Sequence, residues 1–101
     1  MNHLKLFEEY TSDVINIVID GKEYVFKVKQ DNREVFLIKG DEVYQRLDIE
    51  VPESQNLQND EFFMSPDVRK EIVDELEEQG FIDKINKVTT AGDKKVMAYK
   101  L

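Results

Sequence analysis

The fold is decided by residues 14–29, VINIVIDGKEYVFKVK. Apolar residues alternate with others on both sides of Asp20-Gly21, and such alternation places one set of side chains on each face of a β-strand. Asp-Gly favours a type I′ turn, because both central residues of that turn need a positive φ. The stretch therefore predicts a β-hairpin with Asp20-Gly21 at its turn.

Two further strands extend this hairpin into a predicted four-stranded meander. Turn residues at 30–33 and at Gly40-Asp41 separate a third strand, residues 34–39, from a fourth strand, residues 43–51. Residues 53–61 are then predicted to form a polar surface connection. Alternation divides the fourth strand between an apolar face with Val43, Leu47, Ile49 and Val51 and an exposed face with Tyr44, Arg46, Asp48 and Glu50.

A helix is predicted over residues 66–79. Ser65 suits the N-cap, Pro66 the first helical position, and Gly80 the residue just past the end. The apolar stripe that should pack on the sheet consists of Val68, Ile72 and Leu76, with Val73, Phe81 and Ile82 beside it.

The two ends of the chain complete the predicted architecture. Apolar spacing over residues 2–10 predicts a short N-terminal helix, and residues 84–90 and 95–101 form a second hairpin around the turn at 91–94. The predicted fold is a single α+β domain spanning residues 1–101. In it, one amphipathic helix packs on an antiparallel β-sheet made of the four-stranded meander and the C-terminal hairpin.

The composition excludes several classes of protein. The 101 residues include no cysteine and one histidine, His3, which excludes disulfides, cysteine-based metal sites and a cysteine nucleophile, and a Ser-His-Asp triad could use only His3. No apolar run is long enough to span a bilayer, and residues 1–10 lack the basic segment followed by an apolar segment that is typical of a secretory signal, so a cytoplasmic protein is expected. Glycine-rich phosphate loops and a calcium-loop motif are absent as well. We therefore expect a protein that is not an enzyme and that has no cofactor and no metal.

Acidic residues are concentrated in one part of the chain. The 22 Asp and Glu residues against 14 Lys and Arg give a net charge of −8, and residues 41–78 hold 13 of the acids but only 3 of the bases. The remaining residues are slightly basic, and the lysines of the last hairpin contribute to this: Lys84, Lys87, Lys94, Lys95 and Lys100.

The predicted helix carries carboxylates at positions that repel one another. Like charges four residues apart destabilise a helix, and acids near its C-terminus oppose the helix dipole. A charged helix face is most often simply a solvated face, but a row of carboxylates also approximates the phosphate spacing of a nucleic-acid strand. The residues predicted to bind a partner are Tyr44, Asp48, Glu50, Asp67, Glu71, Asp74, Glu75 and Glu78.

The segment Phe62-Phe63-Met64 leaves two alternatives open. It either packs into the core or stands exposed as the apolar centre of an interface with a charged rim. An uncovered edge strand offers a second way to associate, so a homodimer is an alternative assembly.

The opening residues, MNHLKLFEEY at positions 1–10, resemble the start of many small proteins of large tailed bacteriophages. The acidic, cysteine-free α+β chain as a whole is similar to the inhibitors that phages use against host defence nucleases. This resemblance implies a phage-encoded protein in the cytoplasm of the bacterial host that binds and blocks a host enzyme.

The leading hypothesis is thus a non-enzymatic inhibitor whose acidic surface binds a basic, nucleic-acid-binding enzyme, with DNA mimicry as its specific form. Direct binding of nucleic acid is disfavoured by the same charge, as is a winged-helix arrangement of residues 66–101, and no membrane contact is expected. Two alternatives remain. One is an oligomer that sequesters a small molecule or nucleotide, an anionic ligand held by Lys84, Lys87, Lys94 and Lys95; the other is a structural phage component.

Overall fold

The computed structural model describes residues 9–101, which form nine strands, one α-helix and one 3₁₀ helix. The predicted N-terminal helix lies mostly outside the described residues, and its last two positions, Glu9 and Tyr10, belong to a strand. The elements are β1 (Glu9–Thr11), β2 (Ile15–Ile19), β3 (Lys22–Asp31), β4 (Glu34–Lys39), β5 (Glu42–Arg46), β6 (Asp48–Ile49), the 3₁₀ helix (Pro52–Asn56), β7 (Glu61–Met64), α1 (Lys70–Glu78), β8 (Asp83–Ala91) and β9 (Lys94–Lys100).

The larger sheet is an antiparallel meander built on the predicted hairpin. Strands β1 and β2 share one edge of the long strand β3, and β4 and β5 follow on its other side. Asp20 and Gly21 have φ values of 54° and 79°, so the predicted type I′ turn is confirmed. The predicted alternation of buried and exposed side chains in β2 is confirmed too, because Ile15, Ile17 and Ile19 are fully or almost fully buried.

The prediction of a single fourth strand over residues 43–51 is wrong, because at Leu47 the chain passes from the larger sheet to a second sheet. The Leu47 N–H donates to Val35 O in β4, while the Leu47 carbonyl accepts from Ser65 N beyond β7. A register shift between Leu37 and Ile38 also inserts an extra residue into β5. Such a shift reverses which side chains face the core. Val43 is consequently 59% exposed.

A second, four-stranded sheet has the order β6-β7-β9-β8. The C-terminal hairpin is confirmed, but it pairs with β7 rather than with the meander, so two sheets replace the single predicted one. Phe62 and Met64 enter the main core, whereas Phe63 packs on the opposite side of this sheet against Leu57 and Val96. Of the two alternatives for residues 62–64, core packing or exposure at an interface, core packing is correct, since all three are buried.

Helix α1 begins four residues later than predicted. Ser65 instead closes a separate turn, in which its carbonyl accepts from Val68 N and its Oγ accepts from Asp67 N. The C-terminus matches the prediction, because Gly80 has a φ of +83° and the Phe81 N–H donates to Leu76 O.

The main core draws on both sheets and on the helix. Ile72 and Leu76 of α1 are buried with Val28 and Leu37 of the larger sheet and Phe62 of the smaller one. The structure therefore confirms an α+β architecture with one helix packed on antiparallel sheets. The acidic outer side of the helix is left facing solvent.

Candidate protein-binding surface

Helix α1 carries its carboxylates on the sides that the core leaves open. Asp74 and Glu78 are exposed, and Glu71, Glu75 and Glu77 are half-buried. The stripe formed by residues 68, 72 and 76 is buried, as predicted. The helix is thus amphipathic, and its polar side is almost entirely acidic.

Bases compensate the acids in the first half of the helix. Arg69 Nη2 lies 2.7 Å from Glu71 Oε1, and Lys70 Nζ lies 2.8 Å from Asp74 Oδ2. Arg69 also donates two hydrogen bonds to Asp20, at 3.0 and 3.1 Å, which lower the pKa of that carboxyl. Two of the predicted partner-binding residues, Glu71 and Asp74, are therefore locally neutralised.

The second half of the helix has no such compensation. Glu75 accepts a hydrogen bond from Gln79, but among the described residues Glu77 and Glu78 form no ion pair, and the last turn contains no base. Burial, and to a lesser degree the nearby carboxylates of Glu77 and Asp74, raise the pKa of Tyr99. Negative charge is thus concentrated at the C-terminal end of α1, where it opposes the helix dipole.

Tyr44 lies in an aromatic cluster near the start of α1. Because it occupies the bulge in β5, its ring packs 4.7 Å from that of Phe26 and 5.8 Å from that of Tyr24, between centroids. The ring is still 40% exposed. Hydrogen bonding to Asp20 above all, and the charges of Glu71 and Tyr44 to a smaller extent, raise the pKa of Arg69.

The prediction that Asp48 is exposed is wrong. Its side chain is 6% exposed, and Oδ1 accepts hydrogen bonds from Val35 N and from Arg46 Nε, both at 2.9 Å. A third bond runs from Arg46 Nη2 to Oδ2 at 3.1 Å. Asp48 holds the junction of the two sheets and could meet a partner only by breaking these bonds.

The predicted partner-binding residues do not form one surface. Asp48 and Glu50 line a cavity of about 230 Å³ at the junction of the sheets, and no residue of α1 lines it. Asp67 is exposed just before the helix. The structure thus separates a helix group, with Tyr44 at its start, from a junction group.

The contacts of three charged residues at the junction were not predicted from the sequence. Arg46 pairs with Asp48, and two residues at alternate positions of a strand share a face, so this spacing was a usable signal. Arg33 donates from Nη2 to the carbonyls of Ser54 and Leu57, 21 and 24 residues away. Glu61 accepts from Gln58 N and pairs with Lys87, 26 residues away. No local pattern could have indicated these distant partners.

The lysines suggested for an anionic ligand do not converge on a cavity that the structure defines. Lys87 is committed to Glu61, at 3.1 Å. A second hollow lies on the open face of the larger sheet, beside Phe36 and Val43. Neither it nor the junction cavity is lined by Lys84, Lys87, Lys94 or Lys95.

Residues 9–101 contain no group of three or more side chains suited to hold a metal ion. Within the same range, no helix has the length and apolar character required to cross a membrane. Comparisons with protein-family models, with curated proteins and with solved structures find no match to this chain.

Proposed function

We propose that this protein is a non-enzymatic inhibitor that binds a basic protein through the α1 surface, defined as Asp67, Glu71, Asp74, Glu75, Glu77 and Glu78 with Tyr44 at its start. One observation carries the proposal: carboxylates cluster without a base at the end of α1 where they oppose the helix dipole. A helix shaped by stability alone favours lysine or arginine in that turn. The unfavourable arrangement is explained if a basic partner supplies the missing charges.

The aromatic cluster gives this surface an apolar contact point. Tyr44 packs against the half-buried Tyr24, and aromatic residues are enriched at the centre of protein interfaces. A flat aromatic ring next to charged side chains matches the usual division of an interface into an apolar centre and a polar rim.

The partner class follows from the charge. Carboxylates one helical turn apart approximate the spacing of phosphates, so a groove built for nucleic acid offers complementary cations. We propose a nucleic-acid-binding host enzyme as the target and DNA mimicry as the mode of binding. The phage origin, and with it action in the host cytoplasm, rests on the resemblance of residues 1–10.

The test is a salt-gradient elution from bacterial lysate with a charge-reversal variant. Tagged protein should retain one basic nucleic-acid enzyme that elutes as salt screens the contacts. Replacing Glu71, Asp74, Glu75 and Glu78 with Lys should abolish retention of that enzyme, while circular dichroism should show an intact fold.

The matched control makes the same change in net charge on other exposed surfaces. It replaces Glu23, Asp31, Asp83 and Asp93 with Lys, all of which lie outside α1. Retention by this control but not by the helix variant supports the proposal. Equal loss in both variants would mean that net charge, not the α1 surface, determines binding, and would overturn it.

A further inference from the structure

The junction cavity combines an apolar floor with a charged rim. It lies where the chain passes from the larger to the smaller sheet, next to the 3₁₀ helix, and its apolar lining comes from Ile49, Leu57, Phe62 and Phe63. Its volume of about 230 Å³ is below the roughly 300–1,000 Å³ of typical small-molecule sites. That size suits one inserted side chain better than a complete cofactor.

The net charge of the cavity lining determines whether a positively or a negatively charged group can bind there. Two arginines and four carboxylates line the cavity, a net formal charge of −2. Lys87, which pairs with one of the four, Glu61, reduces this excess without removing it. An anion is therefore disfavoured, and a cation is favoured.

The existing bonds show which groups remain for an occupant. Arg33 and Arg46 are tied to backbone carbonyls and to Asp48, and Glu61 is tied to Gln58 N and Lys87. Among the described residues Glu50 forms no ion pair, and it lies on the exposed side of the cavity. Its carboxylate is free to accept hydrogen bonds.

We propose that this cavity binds an arginine side chain of the partner protein. The guanidinium can donate to Glu50, while its aliphatic stem lies along the half-buried Ile49. Arginine is favoured over lysine because its head is planar and less strongly hydrated. Arginines that fill pockets are frequent hot spots of interfaces.

This inference deepens the proposed function, on which it rests for the nature of the partner, but it can be tested without that partner. The probe is N-acetyl-arginine amide, titrated into ¹⁵N-labelled protein and followed by NMR chemical shifts. Saturable shifts are expected at residues 48–50, 54–57 and 62–63. The uncharged isostere N-acetyl-citrulline amide should bind at least about tenfold more weakly, since it lacks the charge-assisted hydrogen bond.

Two variants test whether the arginine amide binds in the junction cavity. Glu50→Gln should weaken arginine-amide binding about tenfold, as expected when a hydrogen bond to a charged group is lost. Glu53→Gln, which removes a neighbouring exposed carboxylate outside the cavity, should leave binding unchanged. Shifts confined to α1, equal binding of citrulline amide, or preferential binding of a nucleoside in the cavity would each overturn the inference.

The outcome is separable from that of the proposed function. The variant with four lysines on α1 should still bind arginine amide, because no residue of α1 lines the cavity. Loss of enzyme retention with intact arginine-amide binding therefore supports both proposals. Intact retention by that variant overturns the α1 surface alone, and absence of arginine-amide binding overturns the cavity alone.

Discussion

The junction of the two sheets and helix α1 are both rich in carboxylates, but they use them in opposite ways. At the junction, Asp48 is buried and accepts three hydrogen bonds. On α1, Glu77 is half-buried and Glu78 is exposed, and neither forms an ion pair among the described residues. The fold thus supplies hydrogen-bond donors to the side chain of Asp48 and, within residues 9–101, none to those of Glu77 or Glu78.

The hydrogen-bond donors around an acidic residue determine its role in this fold. Asp48 lies where β4 presents the Val35 N–H and where Arg46 extends alongside. Apart from the Gln79 side-chain amide, which donates to Glu75, the end of α1 offers carbonyl groups and further carboxylates, because a helix C-terminus has no unpaired N–H groups. Acids at the junction should therefore matter for stability, and acids at the helix end for recognition.

The largest expected effect is at the junction. Asp48→Ala leaves the buried Val35 N–H without an acceptor and the Arg46 guanidinium with only the 3.7 Å pair to Glu34, so we expect a loss of about 3 kcal/mol in the free energy of unfolding. Urea denaturation followed by circular dichroism measures it. Asp48→Asn, which can still accept from Val35 N, should lose less. A loss below about 1 kcal/mol in Asp48→Ala would show that the junction tolerates its carboxylate just as α1 does.

Local signals in the sequence predicted the parts of the fold that local chemistry determines. The turn at Asp20-Gly21 requires positive φ and specifies its own hairpin, and Gly80 ends the helix for the same reason. The prediction of one fourth strand was wrong because its change of sheet at Leu47 depends on hydrogen bonds with Val35 and Ser65, which are distant in sequence. Its bulge depends on the pairing with Leu37 and Ile38 of β4. No alternation pattern within residues 43–51 contains that information.

The candidate site was predictable to a similar extent. The acidic side of α1 follows from helical periodicity, and the structure places the four predicted helix acids on its open sides. The burial of Asp48 does not follow from strand alternation, since its donors include a backbone N–H 13 residues away. The junction cavity was missed because it forms only where the two sheets and the 3₁₀ helix meet.

A smaller effect is expected at Glu61, which links the cavity to β8. Glu61→Gln weakens the bond from Gln58 N and removes the pair with Lys87, at a cost of about 1 kcal/mol near neutral pH. The Gln58 N–H, and after it Lys87, lowers the pKa of Glu61 in the folded protein. A lowered folded-state pKa stabilises the protein above the ordinary value of about 4.5, and this stabilisation disappears as the pH falls through the folded value.

A pH series distinguishes the contribution of Glu61 to stability from the contributions of the other carboxylates. The stability difference between the wild-type protein and Glu61→Gln should be constant near neutral pH and should narrow below about 4.5, the ordinary pKa of glutamate. Urea midpoints measured in steps from pH 7 to about 3 provide the comparison. A difference that widens on acidification would contradict the assigned hydrogen bonds.

The smallest expected change has the opposite sign and lies at the end of α1. Replacing Glu77 and Glu78 with Gln removes two charges that oppose the helix dipole, so the protein should become more stable by about 0.5 kcal/mol. Lys70→Gln, which breaks the 2.8 Å pair with Asp74, is the matched control and should not stabilise. Urea midpoints of both variants measure the effect, and retention of the partner should fall as stability rises. If the double variant instead loses stability, these glutamates support the fold, and the contrast between α1 and the junction disappears.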